Sequence, residues 1–168
     1  MRLYFRLFWL IITARWKPAC GALDTVETQV RVWPNDLDLF MHVNNGVYLT
    51  YGDLGRTDLL LRTGVVGSLR RKRWYPVAAR AYVEYRKSLK LWQKVTIKTR
   101  IIGWDDKSVY LEQIFTHGDS LVARLFIDGR FLSFSGERIT PAQTLELFDM
   151  QGMESPELSG LPWKDEVS

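Results

Sequence analysis

The residues best able to do chemistry lie together in one stretch, NDLDLFMHVNNGVYL, from Asn35 to Leu49. It contains two carboxylates, Asp36 and Asp38, the histidine His42, and paired asparagines ahead of a segment that reads as helix. A helix N-terminus carries unpaired N–H groups and roughly half a positive charge, so a carbonyl oxygen placed there is polarised. A nearby carboxylate can attack that carbonyl carbon or take a proton from the attacking water. The stretch therefore predicts an acyl-transfer site that needs no metal, serine or cysteine.

Each of these side chains also has a purely structural interpretation. Asx residues ahead of a helix are ordinary caps, and Asp36 is most simply interpreted in that way. Asn44, Asn45 and His42 could orient a water molecule or merely hold the loop. A single histidine is more often structural than catalytic, so the residue types alone leave the role of His42 open.

Composition narrows the chemistry further. The 168 residues are 46% hydrophobic, which is enough for one domain with a proper core. Cys20 is the single cysteine, so neither an intrachain disulfide nor a thiolate metal cluster can form. With two histidines in the chain, a His-rich metal site is not expected either. We therefore expect no metal and no cofactor.

The charge is strongly polarised along the chain. Residues 1–100 carry 18 Lys/Arg against 7 Asp/Glu, whereas residues 101–168 carry 5 against 12. The basic residues cluster at Arg70–Arg73 and again around Arg86, Lys87 and Lys90. Such clusters indicate either a solvated face or a site for a phosphate-bearing small molecule. A nucleic-acid site would require these basic residues to be interleaved with exposed aromatic residues or to lie on a recognition helix, and nucleic acid, which ranks third behind these two interpretations, is not expected.

The N-terminus combines basic and apolar residues in MRLYFRLFWLIITARWKPAC. Its uncharged stretch, Leu7 to Ala14, has eight residues and is too short to span a bilayer. No small-x-small cleavage pattern follows it. Residues 1–16 are therefore expected to form a short helix, stopped at Pro18, that packs on the domain or lies at a membrane surface. Packing is the favoured alternative, and the expected location is cytoplasmic, with peripheral membrane contact as the variant.

Periodicity then predicts the elements that position the site. The segment VETQVRVW alternates as a strand, Asn44 or Asn45 caps a helix from Gly46 to Arg62, and Gly64 ends it. Four alternating segments follow as an antiparallel meander, and a Thr140–Pro141 signal starts a last short helix. One helix against five strands predicts an α+β fold in which the sheet curls around the helix. The expected divisions are 1–20 for the N-terminal helix, 21–140 for the main domain, and 141–168 for a C-terminal helix and tail.

Two separated segments carry a family resemblance. DLDLFMHVNNGVYLTYGDLGR resembles the Asp-x-Asp-x-x-x-His-Val-Asn-Asn-x-x-Tyr signature of hotdog-fold acyl-CoA thioesterases, the 4-hydroxybenzoyl-CoA thioesterase superfamily. Together with IIGWDDKSVYLEQ it is similar to the branch called thioesterase superfamily member 6 and its bacterial relatives. The likeness runs from about Val26 to Ile139.

This resemblance implies roles for individual residues. Asp38 takes the place of the nucleophile or general base, and the backbone N–H of Asn45, helped by Gly46, that of the oxyanion donor. Tyr48 matches the motif tyrosine and is expected to pack the helix against the loop. Met41 departs from the family, because many relatives have glycine there, and it suggests an apolar wall at the site.

The resemblance also implies partners. The substrate is an acyl-CoA, whose phosphates could meet Arg70–Arg73 or the cluster of Arg86, Lys87 and Lys90 at the mouth of the pocket. Family members join two sheets edge to edge, so a homodimer or tetramer is expected.

Two other functions remain open at this point. A hotdog hydratase or dehydratase would pair Asp38 with His42 as acid and base, although its loop usually has Asn-Pro between that pair. A non-catalytic acyl- or lipid-binding protein at a membrane surface is weakly supported by Met41 and the apolar N-terminus.

Overall fold

The computed structural model describes residues 2–156, 158, 161 and 162. Its helices are α1 (Arg2–Ala14), α2 (Asn45–Arg62), α3 (Val66–Lys72) and α4 (Pro141–Leu147), with a 3₁₀ turn at Pro34–Asp36. Its strands are β1 (Val26–Arg31), β2 (Trp74–Tyr85), β3 (Lys94–Trp104), β4 (Val109–His117), β5 (Ser120–Ser133) and β6 (Arg138–Ile139). Part of the predicted C-terminal tail, residues 157, 159–160 and 163–168, lies outside the described residues.

The five long strands form one antiparallel sheet in the order β1-β3-β4-β5-β2. The two-residue strand β6, which the sequence analysis did not predict, pairs with the end of β5. The buried residues of α2 recur along its whole length: Val47, Tyr48, Tyr51, Gly52, Leu54, Gly55, Asp58 and Leu59. The predicted α+β fold, a curled antiparallel sheet around one central helix, is therefore confirmed.

Two glycines bring α2 close to the sheet. A Cβ atom on Gly52 would lie 2.7 Å from Gln113 Oε1, and one on Gly55 would lie 2.5 Å from Thr99 Oγ1. Real Cβ atoms do not approach that closely, so a larger residue at either position would force the helix or these side chains to shift. Gly46 differs, because its Cβ would meet only Asn44 Oδ1 at 3.4 Å.

Local signals mark the helix ends as predicted. The Asn44 side chain caps α2 by accepting a hydrogen bond from Gly46 N at 2.9 Å, and Gly64 follows the helix with φ of 76°. Thr140 and Gln143 form the capping box of α4. The sequence predicts no helix or strand at the basic run, yet Arg70–Lys72 form the last turn of α3. Cations suit that end of a helix because of its partial negative charge.

Helix α1 packs on the domain through one face. Leu10 is buried and Leu3 and Leu7 pack against the same core cluster, while Arg6 reaches the carbonyl oxygen of Arg31 at the edge of β1, 2.9 Å away. The opposite face leaves large side chains exposed: Tyr4, Phe5, Phe8, Trp9 and Ile11. The expectation that the N-terminal helix packs on the domain is thus confirmed for one face of α1. Among the described helices, none is long and apolar enough to cross a bilayer.

Candidate functional site

The predicted catalytic stretch folds into a short hairpin. Leu37 and Val43 form a bridge, Asp38 N donates to His42 O at 2.8 Å, and Asn44 N donates to Asp36 O at 2.9 Å. Met41 has φ of 61°. A left-handed residue at the end of a three-residue hairpin loop is a position that favours glycine, so Met41 holds a backbone conformation that side-chain-bearing residues seldom adopt.

The backbone of this loop orients the carboxylate of Asp38. Its Oδ1 accepts hydrogen bonds from Phe40 N at 2.8 Å and from His42 N at 3.2 Å. The residue is half-buried, so the carboxylate keeps contact with solvent. The hairpin therefore presents an oriented and accessible carboxylate ahead of α2.

A cavity of about 230 Å³ brings most of the predicted site residues together. Its walls include Asp38, His42, Val43, Asn45, Tyr48, Tyr85, Arg86, Lys87 and Ser88. Six of the nine residues predicted for catalysis or substrate binding are among them: Asp38, His42, Asn45, Tyr48, Arg86 and Lys87. The sequence motif and the β2–β3 connection thus meet at the N-terminus of α2.

The other three predicted site residues lie beside this cavity. Asn44 borders a neighbouring open cavity, which Asp38 also lines, and Met41 is 61% exposed at the hairpin tip. The N–H of Gly46 is already engaged by the Asn44 cap. Because that donor is occupied, the N–H of Asn45 is the better candidate for an oxyanion.

Tyr85 was missed by the sequence analysis. Its hydroxyl donates to the carbonyl oxygen of Asn45 at 3.0 Å, and its ring meets that of Tyr48 edge-on with centroids 5.2 Å apart. Burial raises the pKa of Tyr48, although a hydrogen bond with the Leu89 backbone lowers it in part. Burial also raises the pKa of Tyr85. Both side chains therefore remain neutral phenols at physiological pH.

The two basic clusters separate in the structure. Arg86 and Lys87 line the cavity, where Arg86 pairs with Glu84 at 3.0 Å and Lys87 contacts Ser120 Oγ at 3.3 Å. The run Arg70–Arg73 belongs to α3 and its C-terminal end instead. Of the two clusters, the Arg86–Lys87 pair is the one among the described lining residues of the cavity that contains Asp38.

Larger cavities lie elsewhere in the molecule. A cavity of about 610 Å³ lies between α1 and the edge of β1. Another, of about 310 Å³, lies between α2 and the sheet. Asp38 lines neither of these two cavities, although it does line the open cavity of about 460 Å³ that it shares with Asn44. The chemistry of the side chains, rather than the size of the cavity, therefore identifies the candidate site.

The chain belongs to the thioesterase-like superfamily, whose family model matches residues 32–151. It is 33% identical over 145 residues to Protein THEM6 of Drosophila melanogaster, covering 85% of this chain and 69% of that protein. It is 39% identical over 84 residues to Protein THEM6 of Xenopus laevis, covering 50% of this chain and 41% of that protein. The chain thus spans less than half of the Xenopus relative.

Solved structures agree on the fold. The probable thioesterase YbaW of Escherichia coli superposes with a TM-score of 0.68 at 22% identity, covering 74% of this chain and 97% of that one. A variant of 4-hydroxybenzoyl-CoA thioesterase, solved with 4-hydroxybenzoyl-CoA, superposes with a TM-score of 0.67 at 19% identity, covering 73% and 97%. The predicted hotdog fold and the predicted similarity to the THEM6 branch are confirmed.

Proposed function

We propose that the protein is an acyl-CoA thioesterase, which converts an acyl-CoA and water into a carboxylic acid and free CoA. The observation that carries the proposal is the oriented, accessible Asp38 carboxylate in one cavity with Asn45 at the start of α2. Family membership supports it, and one structural neighbour was solved with an acyl-CoA.

Asp38 acts in one of two ways in this proposal. As a nucleophile it attacks the thioester carbon and expels CoA, and water then hydrolyses the resulting anhydride. As a general base it takes a proton from water while the water oxygen attacks, and the departing thiolate is then protonated. In both cases the carbonyl oxygen becomes an oxyanion, which the Asn45 N–H and the partial positive charge of α2 stabilise. His42, in the wall of the same cavity, orients the attacking water.

Arg86 and Lys87 are proposed to bind the phosphates of CoA. Both are exposed and line the cavity that contains Asp38. Charge-assisted hydrogen bonds from their side chains suit phosphate oxygens. Removing either charge should raise KM for acyl-CoA and leave kcat unchanged, because the phosphates take no part in the bond changes at the thioester.

We further propose that two copies associate through β2. The edge of β1 lies beside α1, whereas β2 forms the other edge of the sheet and exposes Ala78–Tyr82. An open sheet edge readily pairs with a second strand. Light scattering should give the mass of a dimer, or of a tetramer formed by two such dimers, and Ala79→Pro should lower it to that of one chain. A monomeric parent protein would refute this arrangement.

The exposed aromatic face of α1 favours membrane-surface contact and keeps the non-catalytic, lipid-binding alternative worth testing. Tyr4, Phe8, Trp9 and Trp16 are all more than half exposed, and tryptophan and tyrosine suit the boundary between headgroups and acyl chains. The parent protein should co-sediment with vesicles that contain anionic lipid, and the double variant Phe8→Ser/Trp9→Ser should not. Equal binding of both forms would refute contact through α1.

Release of thiol from acyl-CoAs of short, medium, long and aromatic acyl groups tests the catalytic proposal. Asp38→Asn keeps an oxygen that can accept the hydrogen bonds from Phe40 and His42, so the variant should fold and yet lose about 10²–10⁴ in rate. Asp106→Asn, on the exposed β3–β4 turn, is the matched control and should retain full activity. Equal rates for the parent and Asp38→Asn would refute the role of Asp38. Absence of thiol release by the parent, with lipid co-purifying, would favour the lipid-binding alternative.

A further inference from the structure

The first aspartate of the motif, Asp36, lies in a buried network that joins three elements. Its carboxylate is fully inaccessible and accepts hydrogen bonds from Trp33 N at 2.8 Å and from the Tyr51 hydroxyl at 2.8 Å. Helix α1 contributes Arg6, whose guanidinium binds both oxygens of Asp36, at 3.2 and 2.6 Å. A buried carboxylate requires such a partner, because an isolated charge is strongly disfavoured away from water.

Arg6 is itself held in place from several sides. Its side chain is 10% exposed, and it also donates to the Arg31 carbonyl at 2.9 Å. The guanidinium lies 5.5 Å from the ring centroid of Trp33 and 5.1 Å from that of Tyr51. Its planar fork therefore has a single arrangement, which a lysine would not reproduce.

The backbone of Asp36 is the base of the hairpin that carries Asp38. Asn44 N donates to Asp36 O at 2.9 Å, and the Leu37–Val43 bridge follows it. Asn44 is also the residue that caps α2. The position of Asp36 therefore sets both the hairpin and its register against the helix N-terminus.

We propose that Arg6 is a positioning residue of the reaction, so that α1 forms part of the catalytic apparatus. Arg6 neutralises and orients Asp36, and Asp36 holds the Asp38 hairpin in place relative to the Asn45 N–H. The effect on the rate rests on the proposed thioesterase function, whereas the mechanical coupling between α1 and the hairpin does not.

The segment that follows α1 supplies a matched control. Lys17 binds the buried carboxylate of Asp58 at 2.6 Å, and Asp58 also accepts from Thr28 Oγ1 at 2.7 Å. Asp58 lies fourteen residues after Asn44 on the α2 side, about 21 Å along the helix axis. Lys17→Met therefore removes a cation from a buried carboxylate in the same way as Arg6→Met, but far from the hairpin.

Two measurements on the full chain test the proposal below the unfolding temperature of every variant. Steady-state kinetics of Arg6→Met should show kcat reduced by up to about 10²-fold with KM unchanged, as expected for a small displacement of a reacting group. Amide hydrogen exchange of the peptide covering residues 37–44 should become faster in Arg6→Met. Lys17→Met should match the parent in both, and Arg6→Lys should restore part of kcat.

The outcomes separate the two proposals. Equal kcat and equal exchange of residues 37–44 in Arg6→Met and Lys17→Met would overturn the positioning role. A parent protein without thioesterase activity would defeat the proposed function, and hydrogen exchange would still decide the coupling. If Arg6→Met does not fold, Arg6→Lys decides: parental kcat and parental exchange in that variant would overturn the proposal.

Discussion

Replacing Gly55 by alanine tests how closely α2 lies against the sheet. The new Cβ would lie 2.5 Å from Thr99 Oγ1, 2.9 Å from Gln113 Nε2 and 3.2 Å from Ile97 Cγ2. The two polar side chains cannot retreat freely, because Gln113 Nε2 donates to Thr99 Oγ1 at 2.9 Å and to Gly52 O at 2.9 Å. Gly55→Ala must therefore move the helix or break buried hydrogen bonds.

The expected cost follows from three contributions. Overpacking a core costs about 1–3 kcal/mol, and a weakened buried hydrogen bond costs about 1 kcal/mol more. The higher helix propensity of alanine returns about 1 kcal/mol. Gly55→Ala should therefore lower the free energy of unfolding by about 1–3 kcal/mol.

Urea unfolding measures this difference, and Gly67→Ala is its control. Gly67 also lies within a helix, α3, but its Cβ would meet no atom within 4 Å. That variant should gain about 0.5–1 kcal/mol. Melting temperatures should move in opposite directions for the two variants, by about 2–4 °C for each kcal/mol. Equal stabilisation by both alanines would show that α2 does not lie as close to the sheet as described.

Three further predictions concern the hairpin, its support and a buried carboxylate. Met41→Gly should leave the free energy of unfolding unchanged or raise it by up to about 1 kcal/mol, as measured by urea unfolding. Glycine removes the strain of a left-handed conformation, roughly 1–2 kcal/mol, but loses more backbone entropy on folding. A clear loss of stability would contradict this prediction. Tyr85→Phe should cost about 1 kcal/mol and lower kcat, because the Asn45 carbonyl loses the hydrogen bond from the Tyr85 hydroxyl; unchanged stability would contradict it. Burial raises the pKa of Asp128, but hydrogen bonds from Ser108 and two arginines outweigh it and lower that pKa. The ionised Asp128 carboxylate therefore contributes its full stabilisation above the pKa of the unfolded state, about 4, and loses it as the pH falls through the lower pKa of the folded state. The difference in unfolding free energy between the parent and Asp128→Asn should narrow in acid, and a constant difference would contradict this prediction.

Local sequence signals predicted much of this architecture. The Asn44 cap, the stop at Gly64 and the capping box at Thr140 are short-range features, and each lies where it was expected. The alternating strands were also found, because apolar spacing reports which side of a sheet is buried. The helix α3 was missed, since its sequence VGSLRRK buries one residue, Leu69, and shows no apolar stripe.

Contacts between distant residues could not be predicted. The bond from Tyr85 to Asn45 joins positions 40 residues apart, and that from Arg6 to Asp36 joins positions 30 residues apart. Each depends on how α1 or β2 is placed by the whole fold, which a single sequence does not report. The cavity likewise joins Asp38 to Arg86 only because the β2–β3 connection folds back onto the hairpin, where Val43 N donates to Leu89 O at 2.9 Å.

The two aspartates of the motif show how environment divides one residue type between two tasks. Asp36 is inaccessible, and donors from Arg6, Trp33 and Tyr51 occupy its oxygens. A carboxylate so enclosed cannot reach a thioester, and its lone pairs are already committed. Asp38, two residues later, is half-buried and is oriented by the backbone of its own loop. These two environments support the proposed division, with Asp38 for chemistry and Asp36 for support, so Asp36→Asn should chiefly lower stability whereas Asp38→Asn should chiefly lower the rate.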